Sequence, residues 1–512
     1  MRMFLLVIHI CRYQDLILSL SPYNFKSAAM HRTYTLLLLL LVSVVSSCNK
    51  LLDIKPVNSM VPVSLEDYES VLLGGYPRTD FFMKTELMTD NVYANLITLY
   101  NPTKEQELWF TWAPTKQLDG VETDPNWGQL YSSIFYANTV LDHLSNYTPQ
   151  VSERERYETV KGEAYALRAF SYFYLVNLYA EPYSTSTLES PGVPMPLEAK
   201  DVLKYTQNNT RATVGKVYEQ IKTDIGEAAR LLAGKKSSSK FRFDAGSVQL
   251  FRARVALFTG QYDVAIQAAT DVMTNKPLAD LNTLQPRIDD KGNINAFSGN
   301  TGFIDTDYKN EVLFFMGGSA NTNMYYYSQY MFKPSPELLL LCNRQENVTD
   351  YRKYIFSSFA DLNTSDGKQT GSTMYNMYAK QENPSYFIGL KVSEAYVIRA
   401  EAYARQQQYE AALSDINTLL GRRIKRGQFV ALRRGDFASN DAILQRILEE
   451  RRLETAFDGG LRWMDLRRLG RPALVHVFKN GQTYELKKND NRYLLQIPVS
   501  EQINSPEMPI NP

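Results

Sequence analysis

Arg254-Val255-Ala256-Leu257-Phe258-Thr259-Gly260-Gln261-Tyr262-Asp263-Val264-Ala265-Ile266 reads as a helix, a tight turn and a second helix. Arg399-Ala400-Glu401-Ala402-Tyr403-Ala404-Arg405-Gln406-Gln407-Gln408-Tyr409-Glu410-Ala411-Ala412-Leu413 repeats it. In each, alanines sit where two helices must come close. A Tyr follows the turn, and a small residue comes three positions later. Small residues let antiparallel helices approach, and the Tyr fills the gap beside them. Two helices so joined cannot bury their apolar faces alone, so the pattern implies a stack.

This is the tetratricopeptide pattern. A stack needs at least about three repeats, and degenerate copies at 127–180 and 213–243 supply the remainder. The fold expected is mostly α, a tetratricopeptide-like core of about four helix pairs with few short strands. Outward from the two copies, helices are predicted at Leu65–Leu73 with Ser64 as N-cap, at Trp127–Leu144, at Thr213–Leu232 and at Ala245–Thr259. A short helix is expected near Glu86–Ala94. Ser152 opens another helix, running to about Ala180, with Glu155 at N3 completing a capping box. Its centre, Gly162–Phe173, is apolar nearly all round, as in a helix buried on several sides. Residues 277–388, rich in Asn, Gly, Ser and Tyr, read as a long irregular insert. Such inserts are usually functional, and the aromatic content argues against disorder.

Composition narrows the function. Apolar residues make up 44% and charged residues 22%, ordinary for a packed protein. The net charge of +1 carries none of the basic excess of a nucleic-acid binder. There are 34 Tyr, 24 Phe and 4 Trp. Tyr joins an apolar body to a polar tip, so most serve packing and some can stack on sugar rings. The phosphate-binding, zinc-protease and nucleophile-elbow motifs are absent. His143, His476 and Cys342 are too few and too scattered for a zinc site.

The N-terminal region carries its own message. Met30-His31-Arg32 precedes the apolar run Leu36–Val45, and Ser46-Ser47-Cys48 closes it. The run is too short for a membrane span, which needs about 20 residues, and has the length of a signal-peptide core. A Cys directly after small residues resembles a bacterial lipobox, in which that Cys is acylated. Residues 30–47 are then a lipoprotein signal peptide, and Cys48 is the lipidation site. The alternative is an ordinary signal peptide with a chance Cys. Residues 1–29 fit no export signal and are expected to be an over-long gene start. The mature chain divides into an N-terminal region, 48–240, and a C-terminal region, 241–512, intertwined as one globular unit. With Cys48 acylated, Cys342 has no partner for a disulfide.

The densest charge cluster is Glu449-Glu450-Arg451-Arg452-Leu453-Glu454, followed by Asp458-Gly459-Gly460 and Arg462-Trp463-Met464-Asp465-Leu466-Arg467-Arg468. It could be an anion site. The spacings i,i+3 and i,i+4 favour ion pairs across a helix and its neighbour instead, with Gly459-Gly460 ending the helix.

This cluster also resembles the C-terminal motif of the SusD/RagB family of surface nutrient-binding lipoproteins. Four more segments resemble that family in the same order: Glu163–Tyr179, Thr213–Leu232, Val392–Ala404, and Leu495-Gln496-Ile497-Pro498 with the terminal Asn511-Pro512. The resemblance covers nearly all of 48–512. Two departures stand out. Gly459-Gly460-Leu461-Arg462 is one residue longer than the family's G-x-R, and Cys48-Asn49-Lys50 lacks the acidic residues that often follow the lipidated Cys. The resemblance implies a helical core with a loop-rich ligand-binding half, no catalysis and no cofactor. It implies a TonB-dependent outer-membrane barrel as partner, over which the lipoprotein sits as a hinged lid. It places the protein at the cell outer membrane, lipid-anchored and surface-exposed, capturing glycans or, in some members, peptides. A tetratricopeptide-type scaffold for protein partners is the other reading.

The ligand site is expected in the non-repeat half, where aromatics meet planar polar groups. One candidate group is Trp109 and Trp112 with Asp90 and Asn91. The other is Tyr325, Tyr326 and Tyr330 with Asn321 and Asn323. Aromatic platforms stack on sugar rings, and carboxamides offer the donors and acceptors that hydroxyls need.

Overall fold

The computed structural model describes residues 62–77, 83–95, 102–113, 125–202, 210–283, 286–288, 294–297, 311–316, 331–344, 346–363, 369–375 and 388–512. Its main helices, in chain order, are α1 (Leu65–Gly74), α2 (Met83–Leu87), α3 (Lys104–Phe110), α4 (Pro125–Ser145), α5 (Arg154–Tyr179) and α6 (Val214–Leu231). They continue with α7 (Ala245–Phe258), α8 (Tyr262–Asn275), α9 (Val392–Arg405), α10 (Tyr409–Leu420), α11 (Asn440–Glu454) and α12 (Leu461–Arg468). Helix α5 packs against α4 and α6, α7 against α8, α8 against α9, and α9 against α10 and α11. Ser64–Pro512 forms one compact unit.

The two repeats are built as their sequences predict. Both first helices end in the same reverse turn. Gly260 has φ +71° and Gln407 φ +62°. The Gln261 N–H donates to Ala256 O and the Gln408 N–H to Tyr403 O, each at 2.8 Å. This is a Schellman closure, in which a left-handed residue lets the next N–H reach back five positions. Ala265 and Ala412, one turn into the second helices, are fully buried. The copy expected at 213–243 is different: it supplies only α6, and α6 finds its partner in the preceding helix, α5.

Helix α5 is enclosed as its apolar sequence implies, with every residue from Gly162 to Tyr179 except Tyr165 buried. Its start differs from the expected capping box at Ser152. Val151–Glu153 forms a 3-10 turn, and the Gln150 N–H donates to the Glu153 carboxylate at 3.0 Å. The short helix expected across 86–94 is instead α2 followed by strand β1 (Val92–Ala94).

The insert is less irregular than its sequence suggests. It holds β2 (Pro286–Ile288), β3 (Ile294–Phe297), β4 (Val312–Met316), β5 (Phe332–Pro334), β6 (Ser357–Asn363), β7 (Gln369–Tyr375) and the start of β8 (Ile388–Lys391). Antiparallel pairs β2–β3, β4–β8 and β6–β7 form within it, and β1 pairs with β5. A further hairpin, β9 (Leu474–Phe478) with β10 (Gln482–Leu486), follows α12. Strands this short carry little periodicity, and β1–β5 and β4–β8 depend on partners far away in the chain.

The chain end is locked down. Asn511 Nδ2 donates to Tyr179 O at 2.8 Å and to Leu495 O at 2.7 Å. Gln496 exchanges two hydrogen bonds with the Asn511 backbone. The terminal Asn-Pro thus fastens the last segment to the end of α5.

Candidate functional site

The charge cluster is structural, and it ties α11 to α12 and to the insert. Glu450 and Glu454 stand one turn apart on α11, buried and facing the insert. Glu450 takes Arg352 at 2.7 Å, and Glu454 takes Arg423 at 2.9 Å. Arg423 also reaches Glu311 at 3.1 Å, and Lys391 pairs with Asp458 at 2.8 Å. On the other side of α11, Arg451 holds Asp465 of α12, which also receives Arg468. Burial raises these carboxyl pKa values, but the facing cations outweigh it. Glu450 and Glu454 lie below the ordinary range, and Asp465 falls to about 2. Removing one partner from such a pair leaves an uncompensated buried charge. Gly459 and Gly460, with φ of +56° and +75°, turn the chain between the helices, and the Gly460 N–H reaches Glu86 at 2.8 Å.

The first candidate group is built into this frame. Helix α3 begins at Thr103, whose hydroxyl accepts the Gln106 N–H, and closes with Trp112 at φ +51°. Trp112 is 2% exposed, and its indole N–H donates to Met88 O at 3.0 Å. Its ring stacks on His476 of β9 at 4.1 Å, and Phe110 covers the other imidazole face at 4.1 Å. His476 Nδ1 lies 2.6 Å from Phe110 O, and Nε2 lies 3.0 Å from Thr89 O. Burial pulls the imidazole pKa down, against the lift from those two carbonyls. Asp90 is clamped by Arg462 through two bonds of 2.8 and 2.7 Å and by Arg452 at 3.3 Å. Despite burial, these cations hold its carboxyl below the usual range. Asn91 is fully buried, and its carbonyl accepts Arg452 Nε at 2.7 Å. Trp109 is half-buried between the two apolar cores.

The structure therefore corrects the expectation for Trp112, Asn91 and Asp90. Trp112 and Asn91 face the interior, Asp90 is taken by two arginines, and these three brace 88–112 against α11, α12 and β9, while Trp109 is only partly buried. The helix-end geometry at Trp112 and the distant partner His476 drive that burial, and neither is visible locally in the sequence. The second group, Asn321, Asn323, Tyr325, Tyr326 and Tyr330, lies outside the described residues, as does Cys48.

An open cleft of about 430 Å³ lies elsewhere in the insert, where the 343–354 segment meets Gln428. Asn343, Asn347, Thr349, Lys353, Tyr354 and Gln428 line it. No motif in the sequence marks these residues. Asn343 and Asn347 sit four apart in a polar run, which is a weak signal, and Gln428 joins only through tertiary structure. Among the described residues, no cluster of three or more His, Cys, Asp or Glu could hold a metal ion. Among the same residues, no helix is long and apolar enough to cross a membrane.

Two family models match most of the chain. Residues 51–257 match one described as starch-binding, associating with the outer membrane, and residues 299–512 match the SusD family model. Two SusD-like proteins of Formosa agariphila are similar in sequence. One is 26% identical over 47% of this chain and 45% of its own length. The other is 25% identical over 75% of this chain and 79% of its own. Among solved structures, a SusD superfamily protein of Bacteroides thetaiotaomicron overlays with a TM-score of 0.66 at 21% identity, covering 88% of this chain and 100% of that one. A SusD-like carbohydrate-binding protein of Bacteroides vulgatus gives 0.64 at 19% identity, covering 87% and 97%. These structural likenesses fix the fold.

Proposed function

We propose a function on one premise: the chain belongs to the SusD/RagB family. It is a non-catalytic, glycan-binding lipoprotein of the outer membrane that hands its ligand to a TonB-dependent barrel. The family match across both halves of the chain carries this reading. The likeness to a carbohydrate-binding protein of the same fold supports glycan over peptide.

Cys48 is the anchor. Each buried CH₂ of an attached acyl chain contributes about 0.8 kcal/mol, so two or more chains tether a water-soluble body without a membrane-spanning helix. Tyr325, Tyr326 and Tyr330 are the proposed stacking residues, and Asn321 and Asn323, near them in sequence, the proposed partners for hydroxyl groups. The brace around Trp112 and His476 supports the binding half.

Affinity capture from outer membranes of cells expressing the tagged protein tests the partnership. A β-barrel of the TonB-dependent class is expected in the eluate, and Cys48→Ala should move the protein to the soluble fraction. Failure to recover any barrel removes the partner from the account.

A further inference from the structure

We propose that the cleft between the 343–354 segment and Gln428 binds a negatively charged sugar unit, one bearing a carboxylate or a sulfate. The inference rests on the glycan-capture reading and names the ligand chemistry at a second contact point. At about 430 Å³ the cleft lies within the roughly 300–1,000 Å³ of small-ligand sites.

Its walls are held in place. The Thr349 N–H donates to Gln428 Oε1 at 2.8 Å, and the Lys425 N–H donates to Thr349 O at 2.9 Å. The Tyr351 N–H donates to Arg423 O at 2.9 Å, and Asp350 bridges to Ile424. Behind the wall, Arg352 is tied to Asp350 at 2.6 Å and to Glu450 at 2.7 Å. The backbone around the cleft therefore needs little further ordering when a ligand binds.

The groups left over set the chemistry. Asp350, the one carboxylate of the lining, is taken by Arg352 through both oxygens. Four nearby arginines are paired: Arg344 with Glu449, Arg446 with Glu450, and Arg422 and Arg426 with Asp280. Lys353 is the cation of the lining. Among the described residues its ammonium has no carboxylate or hydrogen-bond partner, and it lines the cleft. The side chains of Asn343 and Asn347 are likewise unengaged there. Asn347 sits at φ +67°, a left-handed backbone that Asn tolerates better than most residues. Two carboxamides supply oriented donors and acceptors for ring hydroxyls. The ammonium supplies a charge-assisted bond, about twice as strong as a neutral one, to an oxyanion. A neutral sugar uses only the first half of that set, and a sugar carrying an anionic group uses both.

Binding of the full-length, detergent-solubilised protein to a panel of neutral, uronic-acid and sulfated tetrasaccharides tests this. The anionic members should bind more tightly than the neutral ones, with affinity falling as salt rises because exposed charge pairs are screened. Lys353→Met should weaken anionic binding about tenfold, the effect of losing one charged contact of about 1.4 kcal/mol, and flatten the salt dependence. Lys353→Arg should retain both. Preference for the uronic acid or for the sulfate identifies which oxyanion is read. If only neutral glycans bind, or if Lys353→Met binds anionic glycans as tightly as the parent, the inference falls while glycan capture stands. If no glycan of any kind binds, the capture reading falls as well.

Discussion

Arg254→Met removes one end of an ion pair sealed between the repeats. Arg254 of α7 is fully buried and grips Glu394 of α9 through two bonds of 2.8 and 2.6 Å. It also donates to Gly389 O at 2.7 Å and to the Tyr174 hydroxyl of α5 at 3.3 Å. One guanidinium thus ties three helices and β8 together. Burial pulls its pKa down, but Glu394 and Tyr174 outweigh that and leave it above the usual arginine value. The single substitution strands Glu394 as a buried, unpaired carboxylate, at a cost of about 3–5 kcal/mol. Glu394→Leu strands the guanidinium and should cost a similar amount. The double variant leaves no charge behind. What it loses is the bonds to Gly389 and Tyr174, about 1–3 kcal/mol each at most. Against about 6–10 kcal/mol for the sum of the singles, the double should cost about 2–6, so at mid-range it is about 4 kcal/mol more stable than additivity implies. Urea denaturation followed by far-ultraviolet circular dichroism reads this from midpoints, provided the slopes stay equal. Additive single and double costs would mean that Arg254 and Glu394 do not act as a pair, and the reasoning about the repeat core would fail.

Three other substitutions or conditions probe separate parts of the account. Gln407→Gly relieves a left-handed, non-glycine turn and should stabilise by about 0.5–1 kcal/mol, the strain relief exceeding the added unfolded-state entropy. A lower midpoint would show that the Gln407 side chain contributes more than its backbone costs. Stability should fall as pH drops from about 4.5 towards 2. Asp465, Glu450, Glu454 and Glu401 are held low in the folded state, so their stabilisation is present above their unfolded pKa and lost on protonation. Asp465 alone accounts for about 2 kcal/mol of this. Glu163 and Asp224, raised by burial, act in the opposite sense and make the decline shallower. A midpoint independent of pH over that window would contradict the ion-pair frame. Trp112→Ala should cost about 3–5 kcal/mol as a cavity in the brace, yet leave the glycan affinity of the folded protein within about twofold. Loss of affinity with unchanged stability would return Trp112 to the binding surface.

The helical half of the fold was legible because its determinants are local. The turn at 260–262 and the turn at 407–409 announce themselves in a few residues each, and the apolar centre of α5 signals enclosure directly. The charge cluster was legible for the same reason, since i,i+4 spacing on α11 sets Glu450 and Glu454 side by side. The strands were not. Val92–Ala94 is a strand because Phe332–Pro334 lies beside it, and no local pattern carries that. Trp112 illustrates the limit for site residues. An aromatic in a loop beside Asp and Asn suits a sugar site and a structural brace equally, until His476 and Phe110 are seen on the same stack. The cleft at 343–354 has no sequence signature because its character comes from which charges are already occupied, and that is a property of the folded network.

The central claim is that this protein holds glycan without transforming it. Titration calorimetry of the intact protein against neutral and anionic oligosaccharides, with the recovered sugars then analysed for chain length, addresses it most directly. The account predicts saturable binding to at least one glycan class and sugars returned unchanged. Absence of binding across the whole panel, or recovery of shortened or modified sugars, would contradict it.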